Sequence, residues 1–160
     1  MQRLWAPWRM SYIKSSDKMH GCFLCDAIAK RDEDSLIVHR SERVFVILNS
    51  YPYNTGHIMV APYRHVGDIE SLDDREALDL INTIKKSLKA LEDVYKPQGY
   101  NIGLNIGRAS GAGLEGHIHI HVVPRWSGDA NFMPIVSETK VLPEDLRTTW
   151  ARLRKAFEKI

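Results

Sequence analysis

The sequence predicts an α+β fold, an antiparallel sheet with one long helix and a C-terminal helix, in one domain spanning residues 1–160. Three observations carry that expectation. Short runs rich in β-branched and aromatic residues follow one another over 35–62 and again over 99–123. Between them, one long stretch repeats its apolar residues at helical spacing, and a second such stretch occupies 146–160. The 160 residues, 44% of them apolar, are enough to bury one core, and no internal repeat or low-complexity tract divides them.

Taken in order, residues 1–20 show no periodicity but hold Trp5 and Trp8, and they read as an N-terminal arm. Arg3, Pro7 and Arg9 interrupt the arm, so it has no apolar core of a signal peptide, and no run in the chain approaches the length of a bilayer span. The expectation is a cytoplasmic protein without membrane partners, in which Cys22 and Cys25 form no structural disulfide. A short helix is expected over Cys22 to Lys30, ended by the charged stretch Lys30 to Asp34. Strands are expected over Ser35 to Arg40, Arg43 to Asn49 and His57 to Pro62, with a turn at 50–56. Ser71, followed three residues later by Asp74, resembles a helix cap. Ala77, Ile81, Ile84, Leu88, Leu91 and Tyr95 then continue at helical spacing until Pro97 stops them. A strand over Gly99 to Ile106, a ten-residue loop over Gly107 to Gly116 and a strand over 117–123 read as an antiparallel hairpin. Leu146, Trp150, Leu153, Phe157 and Ile160 give a final amphipathic helix, a C-terminal extension over about 143–160.

Lys+Arg number 22 against 20 Asp+Glu, a net charge of +2, so the broad basic footprint of a nucleic-acid binder is missing and any phosphate recognition must be local. The chemistry concentrates in His117-Ile118-His119-Ile120-His121. Side chains alternate across a strand, so the three histidines share one face while Ile118, Ile120 and Val122 face the core. Imidazole near neutral pH is a nucleophile, an acid or base, or a metal ligand. Two active readings therefore stand side by side: nucleophilic catalysis, and a catalytic zinc held by the triad. Cys22-Phe23-Leu24-Cys25 has the spacing of a zinc knuckle but supplies only two of four ligands, so histidines must complete the set, with His20 one candidate. A redox pair and two buried thiols are the competing readings. Four of the ten glycines lie in the loop 107–116 directly before the triad, where backbone amides can approach an anion.

The triad, with its apolar spacers and the following Val122-Val123-Pro124-Arg125, resembles the signature of the histidine triad (HIT) family in its fragile-histidine-triad-like or bacterial diadenosine tetraphosphate phosphorylase-like branches. The run from Asn49 to His57, with Pro52 and Gly56 between them, is similar to that branch too, and the likeness spans about residues 20–135. The resemblance implies a HIT-like fold and an enzyme that cleaves diadenosine polyphosphates or related adenylylated nucleotides at the α-phosphate. His119 would form a covalent nucleotidyl-histidine, resolved by water or, as in phosphorolysis, by phosphate. His121 would contact the phosphate and assist the leaving group, and His57 would orient the site. Asn49 would contact the ribose, Ile47 would line the base pocket, and Asn105 would contact the phosphates. The loop is one residue different in length from the family pattern and has Gly113-Leu114 where the family often has Gln-Ser or Gln-Thr, so Ser110 or the amides of Gly111 and Gly113 would take over the leaving-group contact. The resemblance also implies a structural zinc (Zn2+) on Cys22, Cys25, His65 and His117, and a homodimer. Arg125 to Phe132 reads either as the wall of a second nucleotide subsite or as a surface loop. A nucleotide-binding regulatory module with weak catalysis is the reading from a different class.

Overall fold

In a computed structural model, residues 21–129 and 142–160 are described. The arm at 1–20, with His20, and the stretch 130–141, with Asn131, lie outside the described residues. The chain order is α1 (Phe23–Ile28), α2 (Asp32–Ser35), β1 (Ile37–Arg40), β2 (Val44–Leu48), β3 (Ile58–Pro62), α3 (Asp74–Tyr95), β4 (Gly99–Leu104), a 3-10 turn (Arg108–Ser110), β5 (Ile120–Arg125) and α4 (Leu146–Phe157). The five strands form one sheet in the order β1-β2-β3-β5-β4, and every neighbouring pair is antiparallel.

Alternation along β2 divides the core. Val44, Val46 and Leu48 join Ile58, Val60, Ile120 and Val122 under α3 and α4, meeting Leu80, Ile84, Leu91, Leu153 and Phe157. Phe45 and Ile47, with Met59 and Ala61, face the other way onto Leu24 and Ala27 of α1. Both faces are covered at these strands, which is why β2 and β3 are apolar and buried throughout. Over β4 and β5 no helix among the described residues covers the second face, and the chemical site lies there.

The long helix starts two residues later than its sequence suggests. Asp73, not Ser71, is the N-cap: its side chain accepts from the Glu76 amide at 2.8 Å, and Glu76 reaches back to the Asp73 amide at 3.0 Å. Asp74 is too short to close such a box from Ser71, whose own amide donates to Asp68 instead. Arg64 grips Glu76 from the segment after β3, with Nε–Oε1 at 3.0 Å and Nη2–Oε2 at 2.7 Å. Within the stretch Lys30 to Asp34, expected to end a helix, Asp32 begins a helical turn of its own that takes in Ser35, and left-handed Leu36 (φ 62°) redirects the chain into β1, which therefore begins at Ile37 rather than Ser35. The indole of Trp150 donates to the Ile37 carbonyl at 2.8 Å, docking α4 on β1. No helix among the described residues is long and apolar enough to cross a membrane.

The triad strand, expected over 117–123, is displaced at both ends, running on to Arg125. Its ladder starts at Ile120, not at residue 117. Val60 pairs with Ile120, so Pro62 would face Ile118, and proline has no N–H to donate. The amide of Ile118 bonds the Val66 carbonyl at 2.6 Å instead. On the other side, β4 stops at Leu104, two residues short of the expected Ile106.

Candidate active site

The open face of β4 and β5 carries His121, Val123 and Arg125 beside Asn101 and Gly103, with Met59 of β3 as the inner neighbour of His121. His57 arrives at the start of β3 from the 50–56 turn. Gly56 has φ 77°, and a Cβ there would meet Leu91 and Tyr95 at 3.1 Å, so glycine lets the turn lie on α3 and deliver His57 to the site. The imidazoles are sequestered: His57, His117 and His119 are 1%, 0% and 8% exposed.

Each ring has a fixed proton. The His117 Nε2–H donates to the Pro62 carbonyl at 2.8 Å, which leaves its Nδ1 lone pair toward Cys22 and Cys25. The His119 Nδ1–H donates to the His117 carbonyl at 2.9 Å, leaving Nε2 with a free lone pair. At His57, Nδ1 accepts from the Tyr53 amide at 3.1 Å, so the neutral ring carries its proton on Nε2 and donates it to His121 Nδ1 at 2.9 Å. His121 then carries its own proton on Nε2. The Asn49 amide stands off His57 Nε2 at 3.5 Å, while its Oδ1 accepts from the Tyr51 amide at 2.8 Å.

Burial keeps these rings neutral, because removing water penalises the imidazolium. His57 is pushed down to about 3, by burial first and then by His121 and His119. His121 is pushed down to about 4, by burial and then by His119. His119 is also lowered by burial, although its bond to the His117 carbonyl opposes the shift. A neutral His119 with Nε2 free is the protonation state a nucleophile requires. The edge of Phe23 and the ring of His121 flank it, with centroids at 6.4 and 5.0 Å.

Beyond His121 opens a cleft of about 470 Å³, lined by Tyr53, Asn54, Asn101, Gly103, Asn105 and Arg125 among others. Asn105 thus reaches the same space as His121. Ile47 is buried in the row of Met59 and His121, beneath the α1 side. Ser110, Gly111 and Gly113 are exposed, the Ser110 hydroxyl bonding the Gly107 carbonyl at 2.7 Å. Leu114 packs against the α1 cluster and anchors the end of that loop.

Cys22, Cys25, His65 and His117 bring their ligand atoms within 4.8 Å of one another, the one such group among the described residues. Cys22 caps α1, its Sγ accepting from the Cys25 amide at 3.4 Å. Three separations are 3.2, 3.4 and 3.5 Å: Cys22 Sγ to His117 Nδ1, Cys25 Sγ to His65 Nδ1, and Cys25 Sγ to His117 Nδ1. A tetrahedron with Zn–S of about 2.3 Å and Zn–N of about 2.0–2.1 Å requires roughly 3.3–3.8 Å between ligand atoms. These sulfur–nitrogen separations lie close to that range within a set that spans no more than 4.8 Å, so the four donors are grouped as a tetrahedral metal ion requires, and the triad as a whole does not converge in that way.

Sequence reasoning missed the Pro62 carbonyl, the Tyr53 amide, Asn54, Asn101 and Gly103. The backbone groups carry no side-chain signal, while Asn54 and Asn101 take their meaning from partners 70 and 24 residues away.

The comparisons agree with this geometry. The HIT domain family matches residues 30–128. Over 95% of this chain and 86% of its own length, the AP-4-A phosphorylase of Mycobacterium tuberculosis is 41% identical. A hypothetical histidine triad nucleotide-binding protein from Sulfolobus tokodaii superposes with TM-score 0.71 at 26% identity, covering 86% of this chain and 93% of that one. A Zn-bound histidine triad family protein from Mycobacterium smegmatis shares the fold, with TM-score 0.68 at 22% identity over 90% of this chain and 96% of that one. The chain belongs to the HIT family, and its α+β antiparallel architecture is that family's fold.

Proposed function

We propose that the chain is a nucleotidyl hydrolase or transferase that cleaves diadenosine polyphosphates, or related adenylylated nucleotides, at the α-phosphate. His119 Nε2 donates its lone pair to the α-phosphorus, forming a P–N bond as the P–O bond to the leaving polyphosphate breaks. The electron pair of that bond leaves with the oxygen. The Nδ1–H of His119, held on the His117 carbonyl at 2.9 Å, stabilises the charge gained by the ring, and this contact is the observation that carries the reading. His121 donates its Nε2–H to the leaving oxygen, and His57 orients His121. A second acceptor, phosphate or water, then displaces His119. Phosphate is the acceptor favoured by the likeness to an enzyme named AP-4-A phosphorylase. On this reading Asn49 meets the ribose, Ile47 backs the base, and Asn105 with the 107–116 loop, including Ser110, Gly111 and Gly113, faces the phosphates.

The four-residue Cys/His cluster holds a structural zinc, tying α1 to the strand that bears the nucleophile; its thiolates and imidazoles are the donor set zinc prefers. The protein works as one domain and as a homodimer, a reading supported by the edge of β4, unpaired among the described residues, and by the exposed Ile102 and Ile106. A reducing cytoplasm is the setting in which two free cysteines stay available to metal.

Turnover of diadenosine tetraphosphate by a His119→Ala variant, with and without phosphate and alongside metal analysis, tests the mechanism. The expected result is a loss of roughly 10^3-fold or more with full metal content. Retained turnover would overturn the covalent route, and a turnover indifferent to phosphate would exclude phosphorolysis.

A further inference from the structure

The tautomer of His121 rests on a backbone amide in a turn. Tyr53 N–H determines where His57 keeps its proton, and His57 in turn determines where His121 keeps its own. A turn at 50–56 would hold that amide to hydrogen-bond geometry only if something fixed it from outside. Asn54, the next residue, is buried and does so. Its Nδ2 donates both to the Pro124 carbonyl at 3.0 Å and to Asp129 Oδ2 at 2.7 Å. The Asn54 carbonyl accepts from the His57 amide at 3.1 Å, closing the turn onto the histidine.

Asp129 is held in its turn from several sides. Arg125 forks onto it, with Nε–Oδ2 at 2.6 Å and Nη2–Oδ1 at 2.8 Å, and the Trp126 amide adds a bond at 3.1 Å. The third arm of Arg125 reaches Asn101 Oδ1 of β4 at 2.6 Å. The Arg125 guanidinium keeps the Asp129 carboxyl far below the usual carboxylate range, so the acceptor stays ionised at all working pH values. The network spans the end of β5, the edge of β4 and the turn before β3, bordering the cleft beside His121.

We propose that Asp129, gripped by Arg125 and bonded to Asn54, is a positioning residue that fixes the His57–His121 tautomers through the Tyr53 amide, so that His121 always offers Nε2–H to the leaving oxygen. The role given to His121 rests on the reading above; the tautomer claim does not. If the latch slackens, His57 loses the donor on Nδ1 and its two neutral tautomers become comparable. His121 then presents an N–H in some molecules and a lone pair in others. A lone pair facing a departing anion repels it, so slow leaving groups suffer most.

The test uses the full chain with its metal, as Asp129→Asn and as Arg125→Lys. The second variant changes a half-exposed side chain and keeps Asp129 available to Asn54. Histidine 15N spectra read the tautomers directly, since a single tautomer gives two well-separated ring shifts and a mixture draws them together. A series of aryl esters of adenosine 5′-phosphate reads the donor. In Asp129→Asn we expect the His57 and His121 shifts to converge, with kcat down about tenfold for the poorest leaving groups, less than about twofold for the best, and KM nearly constant. Arg125→Lys should fall between this and the parent. Unchanged shifts would overturn the latch. Converged shifts with no dependence on the leaving group would uphold the tautomer control and instead refute the leaving-group role of His121.

Discussion

Replacing His121 with Asn should flatten the acid sensitivity of the fold, by an amount that follows from the buried imidazoles. A free imidazole titrates near 6.5, whereas in the folded chain His57 lies at about 3 and His121 at about 4. Both are lowered, so the unfolded chain takes up protons that the folded one refuses. Stability is complete above pH 6.5 and is lost as pH falls toward the folded values. At pH 5 each group costs about 2 kcal/mol relative to pH 7, from 1.36 kcal/mol per unit over the interval below 6.5. The pair together costs about 4 kcal/mol. The Asn variant retains His57, whose depression is due first to burial, and should lose about 2 kcal/mol less than the parent between these two pH values. Urea unfolding of both proteins at pH 7 and pH 5, at fixed ionic strength, measures this difference. Protons taken up elsewhere, including at the Cys/His cluster, are common to the two proteins and cancel. Equal losses would show that His121 is not held neutral by its surroundings.

Cys25→Ser removes one of the four proposed zinc ligands. It should abolish stoichiometric metal binding and lower the unfolding free energy by at least about 2 kcal/mol at zinc levels that saturate the parent, a difference that a chelator reproduces in the parent alone. Gly67 lies so close to the loop before the triad that a Cβ would stand 2.8 Å from the Glu115 carbonyl oxygen. Gly67→Ala should therefore cost about 1–3 kcal/mol in thermal unfolding. Gly103→Ala, where a Cβ meets nothing within 4 Å, should stay within about 0.5 kcal/mol. Similar costs for the two would mean that the 67–115 approach is not tight.

How much of this was readable in the sequence depended on the range of the interaction. Alternation at 117–122 placed the three histidines on one face and the isoleucines on the other, because a period of two is local. The Cys22/Cys25 spacing pointed to a candidate metal site for the same reason. What lay between distant segments was hidden. Choosing His65 over His20 as a ligand needed the family likeness, and in the fold His65 reaches Cys25 because Val66 accepts the Ile118 amide and pins that segment beside the triad. The helix start was misplaced although both patterns were in view: Ser71-x-x-Asp74 and Asp73-x-x-Glu76 overlap, and only the longer Glu76 can reach back. Asn54 and Asp129, 75 positions apart, left no periodic trace at all.

The three histidines are equivalent in the sequence and inequivalent in the fold because each takes its proton position from a different group. A proline carbonyl sets His117, the carbonyl of His117 sets His119, and a turn amide acting through His57 sets His121. The consequence is three different offers from one strand: a lone pair at Nδ1 toward the cysteines, a lone pair at Nε2, and an N–H at Nε2. Backbone groups make the first two assignments, so substitution of neighbouring side chains would not readily scramble them. The third runs through two side chains and a turn, which makes it the assignment most open to being tuned. It is also the one where a distant carboxylate can matter. A shift of β5 by one residue against β3 would exchange faces and break the contacts to Pro62 and His57 that set the first and third, so the register set by Val60 and Ile120, and ended by Pro62, is as much a condition of the chemistry as the histidines themselves.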